Sequence, residues 1–438
     1  MKIDIKQNPV IKFFLTLIGG IFASKNKKQV FSNIFSLSLL QITNYIFPFI
    51  TIPYLIRVLG TDNFGLVMFS QAFIQYFIIF VDFGMEYTIT REISVNRYNR
   101  KKVAEIFNAV MIIKVIIFLI SLIVLTAVIF SFKRLNNNWD LHIITFGMVI
   151  GQMMFPVWLF QGIEKMKYIT IVNVIAKAIF TCLIFFIVKR PSDILVVAFL
   201  NSLGYIIAGI ISLIIALRII KFKLYIPPFS AIKGYFMQAK DVFISNFGIS
   251  LYMTSTPFIL GLTTGRNDVV GFYSIAEKTV RGIRYVVSPV TQALFPYLSS
   301  KFRANDVKNS IKTLLKLSVY LLPVLLFLML FLDIFTVWIT KILAGSDNYN
   351  IIINIRIISV ILIIGTLNNI WGILGMVNLR LEKYFRNYVL IGGVFNVSIC
   401  IFLTYNFLDL GASISIVATE LILFILISKK MKQLYSYA

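Results

Sequence analysis

Four ionisable side chains stand close together in a stretch that is otherwise apolar: Glu277, Lys278, Arg281 and Arg284. Their i, i+1, i+4 and i+7 spacing places them on one face of a helix. Glu277 and Arg281 can pair across one turn, whereas Lys278 and Arg284 have no local counter-charge. Such a face suits the binding of anions. Lys114 and Lys177 lie in other apolar runs, each roughly 12 Å or more from the end of its span at the ordinary helical rise. Lys316 and Arg356 sit within a turn of their span ends and can snorkel to the interface. The carboxylates set against these cations within the spans are Asp82, Glu277 and Glu420. An ionisable group in hydrocarbon costs about 3 kcal/mol or more unless it meets a partner or water. Two arrangements fit: a buried ion-pair network, or a cationic stripe lining a water-filled cavity. The cation excess favours the stripe, with Arg281, Arg284, Lys278, Lys114 and Lys177 as candidate substrate-binding residues. Asp82 and Glu277 are the candidate coupling or gating carboxylates, although Asp82 serves equally well as a structural cap beside Gly84.

Uncharged polar residues fall in the same runs: Ser36, Gln41, Thr43 and Asn44, then Gln71 and Gln75, then Ser250, Thr254, Ser255 and Thr256, then Asn368 and Asn369. Ser and Asn commonly join helices within membranes, yet their number here is greater than that use requires. Spacings such as Gly147-x3-Gly151 and Gly204-x3-Ala208-x3-Ser212 read as close helix packing. Enzyme chemistry is largely missing from the sequence. The single histidine, His142, has no carboxylate or cysteine partner in view, and no phosphate loop, metal-ligand cluster or nucleophile elbow occurs. Cys182 and Cys400 match no redox or metal spacing. Asn396-Val-Ser matches a glycosylation pattern but lies inside a span. No cofactor or metal is expected, so work would be driven by the membrane potential, a proton or sodium gradient, or the cargo's own gradient. Carrying a doubly negative group outward across a negative-inside potential gains about 2.3 kcal/mol per charge per 100 mV.

The elements that must position these residues follow from composition. Of 438 residues, 59% are hydrophobic and 14% charged, with a mean hydropathy of +0.88; a soluble chain needs more polar surface. Apolar runs near 33–56, 64–84, 106–130, 141–163, 168–188, 194–217, 242–263, 269–298, 313–335, 353–377, 387–406 and 410–428 are each long enough to cross a bilayer as a helix. The expectation is an all-α polytopic membrane protein of about 12 transmembrane helices, in two six-helix pseudo-repeat bundles around a central cavity. The net charge of +24 would suggest nucleic acid in a soluble protein, but here it sits in loops. Alternate loops and the two terminal segments hold 28 Lys and Arg, and the loops between them hold 7. That bias places both termini in the cytoplasm. The expected division is a basic N-terminal segment (1–31), a six-helix lobe (32–217), a basic linker (218–241) carrying Pro227-Pro228, a second six-helix lobe (242–428) and a basic tail (429–438). Residues 10–23 read as an interfacial helix rather than a cleaved signal. The halves open alike: Ser32-Asn33 matches Ser245-Asn246, Pro48 matches Pro257, Gly60 matches Gly265 and Gly65 matches Gly271, as parallel repeats would.

The segment SLLQITNYIFPFITIPYLIRVLGTDNFGLVMFSQAFIQYFIIFVDFGMEYTITREIS, Ser38 to Ser94, resembles the opening of bacterial polysaccharide biosynthesis flippases of the O-antigen transporter type. The shared features are the first-helix prolines, the Pro53-Tyr54-Leu55 run to the Gly60 turn, Gly65-Leu66, and Asp82-Phe83-Gly84 with Arg91-Glu92. The run from Gly271 through Glu277 and Lys278, continuing to Ser288-Pro289 and Phe295-Pro296, resembles the matching second-half motif. The resemblance implies the multidrug/oligosaccharidyl-lipid/polysaccharide exporter fold and a location in the bacterial inner membrane. It further implies movement of an undecaprenyl-pyrophosphate-linked oligosaccharide from the inner to the outer leaflet, with the lipid bilayer and other polysaccharide assembly proteins as partners. The cationic residues would then hold the pyrophosphate or acidic sugars. A multidrug cation antiporter of the same fold would need a carboxylate-rich cavity. A peptidoglycan-precursor flippase shares the fold-level features. A membrane-embedded polysaccharide-synthesis enzyme would need a large outer loop with an essential acidic or histidine site.

Overall fold

The computed structural model describes residues 27–221, 225–302 and 307–437; the 10–23 stretch lies outside them. Among the described residues every regular element is helical, the outcome expected where lipid offers no partner for backbone amides. The first half comprises α1 (Lys27–Asp82), α2 (Met85–Asn96), α3 (Arg100–Ser131), the single turn α4 (Lys133–Asn136), α5 (Trp139–Met154), α6 (Val157–Gly162), α7 (Lys167–Ile187) and α8 (Ile194–Ile220). The second half comprises α9 (Phe229–Met253), α10 (Thr256–Thr264), α11 (Asn267–Phe302), α12 (Val307–Ala344), α13 (Tyr349–Ser359) and α14 (Ile361–Asn369). A π-helical stretch, Ile370–Val377, follows α14, and α15 (Glu382–Tyr437) closes the chain. The segment expected as a 218–241 linker is mostly helical. Pro228 stands at the N-cap of α9, where a missing amide costs nothing, so the two prolines end the loop instead of centring it.

Helices α1 and α15 contain 56 residues each, roughly 84 Å of helix and far more than a bilayer core is thick. Each turns at one non-helical residue, Gly60 (φ 77°) in α1 and Leu408 (φ 52°) in α15. The two arms of α15 lie against each other, because a Cβ on Gly411 would come 2.1 Å from the Leu403 carbonyl oxygen. Eight helical stretches among the described residues are long and apolar enough to cross a membrane. The 229–264 and 267–302 stretches are not among them. These hold Glu277, Lys278, Arg281, Arg284 and the Ser/Thr cluster, so polar lining lowers their hydropathy.

Side-chain bonds tie the first half together. The 27–59 arm of α1 runs along α7, where Thr170 Oγ1 donates to the Ser36 carbonyl at 2.7 Å and Tyr54 OH donates to the Val188 carbonyl at 2.6 Å. The 61–82 arm runs along α5, with Ser70 Oγ 3.0 Å from Thr145 Oγ1. Gly151 of α5 lets α8 approach so closely that a Cβ there would lie 2.2 Å from Tyr205 backbone atoms. The small-residue spacing therefore marks a packing seam. Prolines break two spans: α5 gives way to α6 at Pro156, and α9 to α10 just before Pro257, as a missing amide and a ring clash require.

The loops sort by charge. Arg97 pairs with Glu164 at 2.5 Å, and Lys102 lies over the Tyr235 ring. In the second half Lys308 lies over Tyr435, and Lys430 over Tyr384. We call this the basic end. At the opposite end the halves meet. Arg134 donates to Asn267 Oδ1 and Arg57 to the Ile342 carbonyl, both across the halves, while within the first half Asn63 Nδ2 donates to the Pro191 carbonyl at 3.0 Å. The turn beside Pro191 is drawn in by Asp193, whose carboxyl is held below its usual range by the backbone amides of Lys189 and Arg190. The tightest contact there is glycine on glycine: a Cβ on Gly65 would lie 1.9 Å from the Asn267 carbonyl oxygen and 2.6 Å from the Gly271 nitrogen. One added methyl at Gly65 must push the halves apart at this end. In a chain lacking Cys182 and Cys400, Ser274→Cys is expected to label slowly with a membrane-impermeant maleimide applied from the opposite end. Adding Gly65→Ala is expected to raise that labelling several-fold, and an unchanged rate would show that the seam does not close the path.

Candidate functional site

The stripe on α11 lines a cavity of about 320 Å³ between the halves. Its walls come from the 27–59 arm (Asn44, Pro48, Phe49), the 61–82 arm (Gln71, Gln75), the α9–α10 break (Met253, Thr254) and α11 (Glu277, Lys278, Arg281). Arg281 Nε lies 2.8 Å from Glu277 Oε1, and its Nη2 donates to the Met253 carbonyl at 2.7 Å. That carbonyl ends α9, where the last four carbonyls of a helix lack intrahelical partners; Arg281 thus braces the break while facing the cavity. Lys278 also lines the cavity, and its Nζ makes no hydrogen bond or ion pair with the described residues. Glu277, Lys278 and Arg281 together leave one net positive charge on this wall.

Arg284, one turn further on, is placed differently. Its Nη1 donates to Glu420 Oε1 at 3.2 Å and its Nη2 to the Gly365 carbonyl at 2.5 Å. Glu420 is 2% exposed and also receives Asn368 Nδ2 on Oε2 at 2.6 Å. A Cβ on Gly365 would sit 2.6 Å from the Arg284 guanidinium carbon, so the glycine makes room for the arginine. This arrangement locks α11 to α14 and α15, and Arg284 does not line the cavity between the halves.

Lys114 and Asp82 form the corresponding lock in the first half. Lys114 is 2% exposed, with Nζ 3.0 Å from Asp82 Oδ1. Gln152 Nε2 donates to Asp82 Oδ2 at 2.9 Å, which joins α3, α5 and the end of α1. Gly84, in the left-handed conformation next to Asp82, lets α9 approach, since a Cβ would lie 2.6 Å from the Phe243 nitrogen. Phe83 stacks on Phe236 and Phe243 at the same place.

Lys177 lines a second, larger cavity of about 670 Å³ within the first half and donates to Asn44 Oδ1. This cavity shares Asn44, Pro48 and Gln71 with the one between the halves. It reaches the basic end at Glu86, which accepts a hydrogen bond from Gln161 Nε2 at 2.9 Å. The structure thus gathers Glu277, Lys278 and Arg281 in one place, sets Lys177 in the adjoining space, and pairs Lys114 and Arg284 elsewhere. Gln152, Gln161, Asn173 and Asn201 of the larger cavity escaped the sequence reading. The available signal was helical spacing: Asn173 and Lys177 are one turn apart, as are Asn201 and Tyr205. His142 is buried, with Nδ1 2.9 Å from Ser70 Oγ, within the packing of α1 and α5.

A family model described as polysaccharide biosynthesis protein matches residues 30–302. A protein of Escherichia coli (strain K12), provisionally named an O-antigen transporter, is 32% identical over 398 residues, 90% of this chain and 95% of the relative. One of the same name from Shigella dysenteriae is 30% identical over 275 residues, 61% of this chain and 67% of the relative. Among solved structures, the lipid II flippase MurJ in an inward closed conformation superposes with a TM-score of 0.72 at 11% identity, over 92% of this chain and 87% of that one. An inward-facing multidrug resistance MATE family transporter of the MOP superfamily gives 0.64 at 14% identity, over 90% of this chain and 99% of that one. These two likenesses show the fold.

Two locks built on buried charge respond sharply to removal of one partner. Lys114→Met is expected to lower stability by about 1–3 kcal/mol by leaving the partly exposed Asp82 without its cation. Lys114→Met with Asp82→Leu is expected to recover most of that loss in thermal unfolding of the detergent-purified protein. A double variant as unstable as the single would show that the pair is not what holds these helices.

Proposed function

The chain belongs to the polysaccharide biosynthesis protein family, and from that premise we propose that it is a flippase for a polyprenyl-pyrophosphate-linked oligosaccharide. Undecaprenyl pyrophosphate is the carrier of choice for a bacterial inner membrane. The observation that carries the reading is the cationic wall between the halves: Lys278, which makes no hydrogen bond or ion pair with the described residues, beside the Glu277–Arg281 pair. Two cations against one carboxylate suit a pyrophosphate and disfavour an organic cation. In this reading the chain crosses the membrane twelve times, as two six-helix halves related by a pseudo-repeat. The basic end faces the cytoplasm, following the loop bias. Cargo enters from the inner leaflet while the Gly65–Gly271 seam closes the far side, and rocking of the halves then opens that side. Arg281 and Lys278 grip the pyrophosphate, Lys177 contacts the adjoining sugars, and Lys114 and Arg284 hold their halves rigid during the motion. Asp82 acts through Lys114 as a structural carboxylate. The membrane potential drives export without a cofactor, and other polysaccharide assembly proteins receive the product at the outer leaflet.

Proteoliposomes carrying a fluorescent undecaprenyl-pyrophosphate oligosaccharide test this directly. Lys278→Glu with Arg281→Glu is expected to slow transfer between leaflets at least about tenfold, a loss near 1.4 kcal/mol, per molecule of folded, reconstituted protein. Wild-type transfer rates in that double variant would sink the proposed site. Transport of an organic cation in place of the lipid-linked glycan would sink the flippase reading as a whole.

A further inference from the structure

The charged wall accounts for only one of the two joined cavities. The larger, within the first half, is lined by carboxamides: Gln41, Asn44, Gln71, Gln152, Asn173 and Asn201, with Gln161 at its basic end. Against these stand one lysine and one carboxylate, Lys177 and Glu86. Side chains of Gln71 and Asn201 make no hydrogen bond with the described residues, and Asn173 uses only Nδ2, on the Ile169 carbonyl at 2.8 Å. A carboxamide offers two donors and an acceptor in one plane, which complements neighbouring hydroxyls that each donate and accept. Gln71, Asn173 and Asn201 are half-buried and line an open cavity, so their unused donors and acceptors can be taken up by a ligand's hydroxyls in place of water. Phe155, Phe180 and Tyr205 supply apolar surface in the same cavity, suited to the C–H faces of a sugar ring. At about 670 Å³ the space lies in the ordinary range for small-ligand sites.

We propose that this carboxamide-lined cavity is a subsite for uncharged sugar residues, separate from the anion-binding wall and joined to it at Asn44 and Gln71. The proposal rests on the flippase reading and adds a division of labour to it. The pyrophosphate seats between the halves, where Lys278 and Arg281 stand. The glycan turns aside into the first half and travels with that half alone.

The test compares two probes on the purified full-length protein in nanodiscs: undecaprenyl pyrophosphate without sugar, and the undecaprenyl-pyrophosphate glycan pool extracted from the source bacterium. Wild-type protein is expected to bind the glycan-bearing lipid at least about tenfold more tightly. Asn173→Leu with Asn201→Leu, both lining only the carboxamide cavity, is expected to abolish that preference and leave affinity for the bare lipid within twofold. If the leucine pair unfolds at a lower temperature than wild type, the smaller pair Asn173→Ala with Asn201→Ala is used and the same selective loss is expected. A wild type that binds both lipids without preference, or a variant that keeps the preference or loses both lipids equally, overturns the subsite alone. A wild type that binds neither lipid overturns the flippase reading and the subsite with it.

Discussion

A cation inside a bilayer has to be paired, or it has to face water. Most of this structure follows from how that rule is met for Lys114, Lys177, Lys278, Arg281 and Arg284. Lys114 and Arg284 meet it with carboxylates, the half-buried Asp82 and the buried Glu420, and each pair recruits a carboxamide, Gln152 or Asn368, to fill the remaining oxygen. Networks of this kind are rigid, because loss of any member exposes a costly remainder. Lys177 takes an intermediate course with the neutral Asn44. Arg281 pairs with Glu277 at the cavity wall, and Lys278 faces the cavity beside them. The same residue types thus give two rigid locks and one receptive wall, distinguished by the partner each finds across the fold.

The receptive wall exists because the helices around it are imperfect. The 27–59 arm carries Pro48 and Pro53, α9 stops at Thr254, and the stretch after α14 widens into a π-helix. Each irregularity frees backbone groups that lipid cannot satisfy, so they occur where protein or water can. Arg281 on the Met253 carbonyl is the clearest case. The opposite end shows the reverse economy: glycines at 65 and 271 let backbones touch, and Arg57, Arg134 and Asn267 bridge across.

Much of the fold was legible in the sequence. Each apolar run lies along helical chain, and Gly60 and Gly265 stand at left-handed turns between runs. Gly65 and Gly271, matched as equivalents from the sequence, are the residues that meet at the seam. What was hidden depends on long-range pairing. No local pattern shows that Arg284 reaches Glu420, 136 positions away, or that Lys114 reaches Asp82 while Lys278 finds no partner among the described residues. Helical periodicity fixes which face a residue is on, but not which neighbour that face meets. The carboxamides were hidden for another reason. They come from separate helices, one or two on each, so no single stretch looks polar until the helices are assembled.

The charge left on the wall has a consequence for the proposed cargo. Glu277, Lys278 and Arg281 leave the empty site with one net positive charge, and a doubly negative pyrophosphate would bring the loaded site to one net negative charge. In a negative-inside membrane the loaded site is pulled outward and the empty one inward, each by about 2.3 kcal/mol per charge per 100 mV if the full field is crossed. Both halves of the cycle then run downhill in the same field. A wall with a third cation and no further carboxylate would hold the cargo more tightly but leave the loaded site neutral and insensitive to the field. Pairing Arg284 with Glu420 removes that third cation from the wall, so the rigid lock on α11 also sets the charge that lets the receptive wall release what it carries.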